Sequence, residues 1–272
     1  MTNIAKNLYE YRELIAALAW KNIVVRYKQS YLGLVWAVLK PLMLMLIFTL
    51  VKSFVGIETG EIPYPILTFA ALMPWVFFQE SASEGVNSIT SNTSLIKKIY
   101  FPREVFPLTA MVTKLVELAI SFLILAALMT YYQMLPTVHA LWVPLIIFYV
   151  MLVALTISFF GSALNVYYRD IAQALPVLLS LAMYASPVIY PLSLVKTKLI
   201  DEQAAGEWSE TLYTLYTLNP LAGIIDSFQR VLLKGLAPDF NALLPGVILT
   251  LALLPLSYIY FKRAENWFAD II

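Results

Sequence analysis

The side chains that carry covalent chemistry are scarce in this chain. It has no cysteine and a single histidine, His139. Thiolate metal sites, disulfides and Cys nucleophiles are therefore excluded, and one histidine in a short polar break makes no metal cluster. No Gly-Lys dipeptide occurs, so there is no phosphate-binding loop of the G-x-x-x-x-G-K-[ST] kind. What remains is charge. In SLIKKIYFPREVFPL (94–108), Lys97, Lys98, Arg103 and Glu104 lie between two apolar runs and are bracketed by Pro102 and Pro107. Leu95, Ile96, Ile99, Tyr100 and Phe101 interleave with them. Such a pattern suits a short amphipathic helix that docks into a groove of a soluble partner, with its charges fixing orientation; the alternative is a solvated loop. Arg26, Lys28 and Lys40 place three cations around the start of one apolar run, where they can hold a phosphate or anchor to lipid headgroups. Lys114 and Glu117, three apart, can meet on one helix face. Arg169-Asp170 can act as a switch pair or as a helix-terminal pair, with Asp170 capping the next helix.

These groups stand in strongly apolar surroundings. The sequence is 61% hydrophobic and only 13% charged, against roughly 25% charged in soluble domains, and its mean hydropathy is +0.77. Apolar runs approach the roughly 20 residues that cross a bilayer, so the chain is an all-α integral membrane protein. Lys plus Arg (18) nearly balance Asp plus Glu (17), which points away from polyanionic partners such as nucleic acid. No cleavable signal peptide is visible at the start. Residues 8–28 place Leu8, Tyr11, Leu14, Ile15, Leu18 and Val25 on one helical face, with Glu10, Glu13, Lys21 and Lys28 opposite. That is a helix lying in the membrane interface or packed on the protein. Six spans follow, at 32–55, 64–86, 105–132, 141–166, 171–190 and 242–261. In the second, apolar character ends near Phe78, and QESASEGV stays helical if protein or water surrounds it. Residues 192–238 are too polar to span. Within them Asn219 suits an N-cap, Pro220 the first turn and Gly235 the stop. Lys and Arg cluster in the N-terminal segment, the second-to-third and fourth-to-fifth loops and the tail, which predicts cytoplasmic termini.

Five segments, in order, resemble permeases that export polysaccharides and polyol phosphates, a branch of the type-2 ABC exporters. SLIKKIYFPREVFP is similar to their coupling-helix segment. RYKQSYLGLVWAVLKP (26–41) is similar to the approach to their first span, with Leu32-Gly33 at the hinge. LNVYYRDIAQALPVLL (164–179) resembles their fourth-to-fifth turn, YASPVIYP (184–191) the end of the fifth span, and LNPLAGIIDSFQ (218–229) an external helix. The resemblance implies a homodimer of six-span protomers with two copies of a separate ATP-hydrolysing subunit. ATP and Mg would be bound by that subunit, so this chain has no cofactor of its own. The implied cargo is lipid-linked O-antigen, capsular polysaccharide or teichoic acid, moved outward across the bacterial inner membrane.

On that footing, residues 94–103 form the coupling helix and residues 192–238 a re-entrant external gate. Arg26, Lys28 and Lys40 face the pyrophosphate of a lipid-linked donor. Tyr31, Trp36, Phe69, Trp75, Tyr184 and Tyr190 offer sugars an aromatic sliding surface, or else belong to an interfacial belt. A permease for a small molecule or drug is the runner-up. A membrane-embedded lipid or sugar transferase needs carboxylates gathered at one face, and the sequence shows only Asp170, Glu104 and scattered N-terminal glutamates there. A passive channel or scaffold is disfavoured by the docking pattern.

Overall fold

The computed structural model of the chain describes residues 10–28, 35–56, 62–98, 101–201 and 209–271, and none of these is in a strand. Helix α1 (Arg12–Lys28) is followed by α2 (Val35–Val55), α3 (Tyr64–Asn87), the short α4 (Thr93–Lys98) and α5 (Val105–Tyr131). Then come α6 (Val143–Tyr167), α7 (Ile171–Tyr184), α8 (Leu192–Lys196), α9 (Ser209–Thr217), α10 (Pro220–Gln229), α11 (Phe240–Glu265) and α12 (Phe268–Ile271). Among the described residues four helical stretches are long and apolar enough to cross a membrane: Val38–Val55, Val105–Tyr131, Val138–Tyr167 and Phe240–Glu265. Helix α7 is apolar but shorter, ending at Tyr184 and giving way to turns through Tyr190.

A helix with two carboxylates in its second half, α3, sits at the centre. Helix α3 packs against α2, α5, α6, α7 and α10. Between Tyr64 and Phe78, every residue but Pro65 and Val76 is buried, as expected of a helix apolar on all sides. Its continuation through QESASEGVN stays helical because α5 and α6 line it. Two glycines let α3 and α6 approach closely. A Cβ on Gly85 would lie 2.6 Å from Ser158 Cβ, and one on Gly161 would lie 2.5 Å from Val86 Cγ2.

A second apolar cluster closes the end of the bundle that carries the loop basic residues. Ile15 of α1, Ile96 of α4, Phe101, Phe106, Phe159, Phe261 and Phe268 meet there. Helix α1 lies along α5 and buries Ile15 and Ala19, while Glu13, Trp20 and Lys21 stay exposed. Val25, placed on the apolar face by periodicity, is exposed as well. At the opposite end, Asn219 Oδ1 accepts from Leu221 N at 3.1 Å and Gly235 closes the following turn at φ 63°. Both match the capping expected from sequence.

Candidate functional site

Three charges of each sign converge where α1, α2, α3 and α5 meet. On α3, Glu80 and Glu84 are one turn apart and share a face; on α5, Lys114 and Glu117 do the same. Lys114 is the hub, with its side chain only 3% exposed. Its Nζ lies 2.8 Å from Glu117 Oε1, 3.0 Å from Glu84 Oε1 and 3.4 Å from Glu80 Oε2. Arg26 of α1 donates to Glu117 Oε1 at 2.9 Å and pairs also with Glu84. Tyr27 donates to the same Glu117 oxygen at 2.9 Å, and Lys40 of α2 pairs with Glu80. Burial pulls against the Arg26 charge, but Glu84 and Glu117 outweigh it and hold the guanidinium protonated. Burial first, then Glu117, raises the Tyr27 phenol well above its ordinary value.

This changes how the three cations read. Arg26 and Lys40 are engaged by carboxylates within the protein, and with Lys114 they leave the cluster neutral. Of the three, Lys28 alone lies outside the cluster, and it is exposed. The expectation that no acidic group gathers at this face does not hold, since Glu80, Glu84 and Glu117 form a trio. Each carboxylate, however, faces a cation, and no group that could hold a metal occurs among the described residues. The signal available in sequence is the i, i+4 pair of Glu80 and Glu84 in QESASE.

The 94–108 stretch is built differently from the docking picture. Its helix is Thr93–Lys98, preceded by a 3-10 turn at Thr90–Asn92; Ile99 and Tyr100 lie outside the described residues. Phe101 is buried against Phe106, with ring centroids 5.3 Å apart, and Ile96 is buried in the same cluster. These two apolar residues therefore pack into the protein itself and are not available to a partner's cleft. A six-residue helix has one apolar side, and its own bundle end takes it. Leu95 is half-buried against the same cluster, Pro102 is half-buried, and Ser94, Lys97 and Lys98 are exposed. Arg103 and Glu104 are buried too. Lys262 Nζ lies 3.0 Å from Glu104 Oε2 and also pairs with Glu265, whose Oε1 accepts from Arg103 N at 3.1 Å. The stretch is thus clamped to the end of α11.

Asn165 joins this segment to the fourth-to-fifth turn. The side chain is buried. Its Nδ2 reaches Val86 O at 3.3 Å, Thr90 Oγ1 at 3.3 Å and Asn87 Oδ1 at 3.5 Å, and its Oδ1 accepts from Ala172 N at 3.1 Å. One amide thereby satisfies a late carbonyl of α3 and an early N–H of α7, groups that helix ends leave without partners. Asp170, expected to cap α7, makes no side-chain capping bond; both Arg169 and Asp170 are exposed.

The aromatics divide. Phe69 and Trp75 are 0% and 1% exposed. They cannot line a passage, because the helix that carries them is surrounded. Trp36 and Tyr184 are exposed. Tyr190 is half-buried, its hydroxyl 3.1 Å from Tyr184 O and 3.3 Å from Tyr216 Oη. The hinge residues Leu32 and Gly33, with Tyr31, lie outside the described residues.

Comparison with known proteins bears on this arrangement directly. Residues 13–201 match the ABC-2 type transporter family. The chain belongs to that family. It aligns at 29% identity over 273 residues, covering all of both chains, with the O-antigen export system permease protein RfbA of Myxococcus xanthus. An RfbA of Klebsiella pneumoniae is 28% identical over 265 residues, 96% of this chain and 95% of that one. The capsule polysaccharide export inner-membrane protein CtrC of Neisseria meningitidis serogroup A is 24% identical over 99 residues, 35% of this chain. As an ABC-2 family transmembrane subunit, the chain holds its charge cluster, its clamped 94–108 segment and Asn165 at the same end of the bundle. The charge cluster joins α1, α2, α3 and α5, the 94–108 segment is clamped to α11, and Asn165 joins α3, α6 and α7.

Proposed function

We propose that this chain is the permease subunit of an ATP-driven exporter that moves lipid-linked polysaccharide of the O-antigen class outward across the bacterial inner membrane. The observation that carries the reading is the end-to-end alignment with an O-antigen export permease at 29% identity over all of both chains. It works as a homodimer of six-span protomers. The four long apolar helices are joined as spans by α3 and α7, and both termini are cytoplasmic. Two copies of an ATPase subunit dock beneath. The docking surface is the exposed edge of α4, Ser94, Lys97 and Lys98, while Ile96, Phe101, Arg103 and Glu104 hold that edge rigidly on the bundle. Rigidity is what a transmitting element requires, and the Asn165 bridge and the close approach of α3 to α6 supply it. Arg26, Lys28 and Lys40 mark the lateral path of the lipid phosphate. Lys28 offers the uncommitted charge, and Arg26 and Lys40 exchange a carboxylate for phosphate as the lipid passes.

The test is reconstitution with an ABC ATPase partner subunit. The purified chain alone should hydrolyse no ATP, and hydrolysis coupled to polymer export should appear only in the complex. Lys97→Glu with Lys98→Glu should abolish co-purification of the ATPase while leaving the chain folded. Hydrolysis by the isolated chain, or undiminished assembly and export by the double variant, would overturn the reading.

A further inference from the structure

A polar cleft of about 450 Å³ lies beside the charge cluster, between α1, the exit of α3, the turn that follows and the start of α5. Its lining is unusual for so apolar a chain. Amides of Asn22, Asn87 and Asn92 and hydroxyls of Ser88, Ser91 and Thr109 come from α1, α3, the turn after it and α5. Asn87, Asn92 and Ser88 bond to backbone carbonyls, but other lining groups lack a partner among the described residues. Thr109 is 2% exposed and its hydroxyl has no hydrogen-bond partner, a state that costs free energy unless a ligand or water relieves it. Asn22 and Lys21 have no hydrogen-bond or ion-pair partner among the described residues. Arg26 and Glu84 also reach the cleft but neutralise each other, so Lys21 leaves one uncompensated positive charge. Leu18, Val25, Phe106 and Ala110 form the apolar remainder.

We infer that this cleft binds the headgroup of a membrane amphiphile: a monoanionic phosphodiester that carries free hydroxyls. One cation matches one phosphodiester charge. The neutral amides and hydroxyls match a polyol, which both donates and accepts hydrogen bonds. The apolar strip takes the first carbons of the lipid stem, as mostly apolar sites with a few placed polar groups do. Helix α1, with Trp20 and Val25 exposed, brings the cleft to the depth of the headgroups. A soluble phosphate would leave the strip unfilled, and a zwitterionic head would place a second cation beside Lys21. Two sources supply this chemistry, a glycerophospholipid such as phosphatidylglycerol and an isoprenoid phosphate linked to a sugar. The inference is independent of ATP coupling, and its test uses the permease alone.

In the experiment, the full chain in detergent is titrated with short-chain phosphatidylglycerol, short-chain phosphatidylethanolamine, glycerol 3-phosphate and a polyprenyl phosphosugar, with binding read by native mass spectrometry. The parent should bind phosphatidylglycerol or the phosphosugar at least tenfold more tightly than phosphatidylethanolamine or glycerol 3-phosphate. Lys21→Gln with Asn22→Leu should weaken that binding about tenfold or more, the loss expected for a charge-assisted contact. The thermal midpoint without lipid should stay unchanged, because neither side chain bonds to another group among the described residues. Preference for phosphatidylglycerol assigns a resident glycerophospholipid, and preference for the phosphosugar assigns a sugar-bearing isoprenoid lipid. Equal binding of all four probes, or identical binding by parent and variant, overturns the inference.

Discussion

Replacing Lys114 by Met removes the hub of the charge cluster with little change in volume. In the native protein its ammonium lies 2.8–3.4 Å from three carboxylates and its side chain is 3% exposed. At an effective dielectric constant of about 20, each contact near 3 Å is worth roughly 5 kcal/mol before desolvation. Desolvation cancels much of that, and removing one partner of a buried pair typically costs about 3–5 kcal/mol. The reason is the excess charge left behind: Lys114→Met leaves Glu80, Glu84 and Glu117 facing only Arg26 and Lys40. A loss of about 3 kcal/mol corresponds to a fall of roughly 6–12 °C in the thermal midpoint of a chain this size. Tryptophan fluorescence in detergent reads it. Adding Glu117→Gln restores neutrality, so the double variant should recover about half of the loss, whereas independent sites would add their costs. A midpoint for Lys114→Met within about 2 °C of the parent, or simple additivity in the pair, would refute the claim that these groups act as one balanced unit.

Gly85→Ala should cost about 1–3 kcal/mol by forcing α3 from α6, and Ser158→Gly should rescue it, because the new Cβ would otherwise meet Ser158 Cβ at 2.6 Å. Asn165→Ala should leave membrane insertion intact but speed hydrogen exchange at residues 86–93 and at the start of α7 together; protection lost in only one of the two would refute the bridge. Burial raises the Asp226 carboxyl above its ordinary value of 3.8, although Lys234 and Arg230 pull it down. A raised folded-state value means that its stabilising contribution is complete below about pH 3.8 and is lost as pH rises through that raised value. Asp226→Asn should therefore raise the thermal midpoint at pH 7 and flatten its dependence on pH across that window.

Much of the molecule was legible from one-dimensional pattern. Four long apolar runs, the Asn219-Pro220 helix start, the Gly235 stop and the Lys114–Glu117 pairing depend on neighbours within a turn or on simple transfer from water, and they appear where the sequence places them, whereas the run expected at 171–190 is helical only to Tyr184. The family likeness was legible as well, because five segments lie in a fixed order. What a sequence cannot encode locally is which face of a helix finds a partner helix. Phe69 and Trp75 looked like candidates for a sugar path until α3 proved to be the central helix, which leaves them no open side. Phe101 looked like an exposed docking residue, but the bundle's own end offered its ring Phe106 as a neighbour inside a buried apolar cluster. Glu80 and Glu84 read as polar helix continuation because their cations lie on three other helices, 30 to 58 residues away in the chain. Asn165 was silent for the same reason: its four hydrogen bonds run to groups brought together only when α3, α6 and α7 meet. Local chemistry fixes where helices begin and end, while burial and charge pairing are properties of the packed bundle, and these decide what each side chain can do.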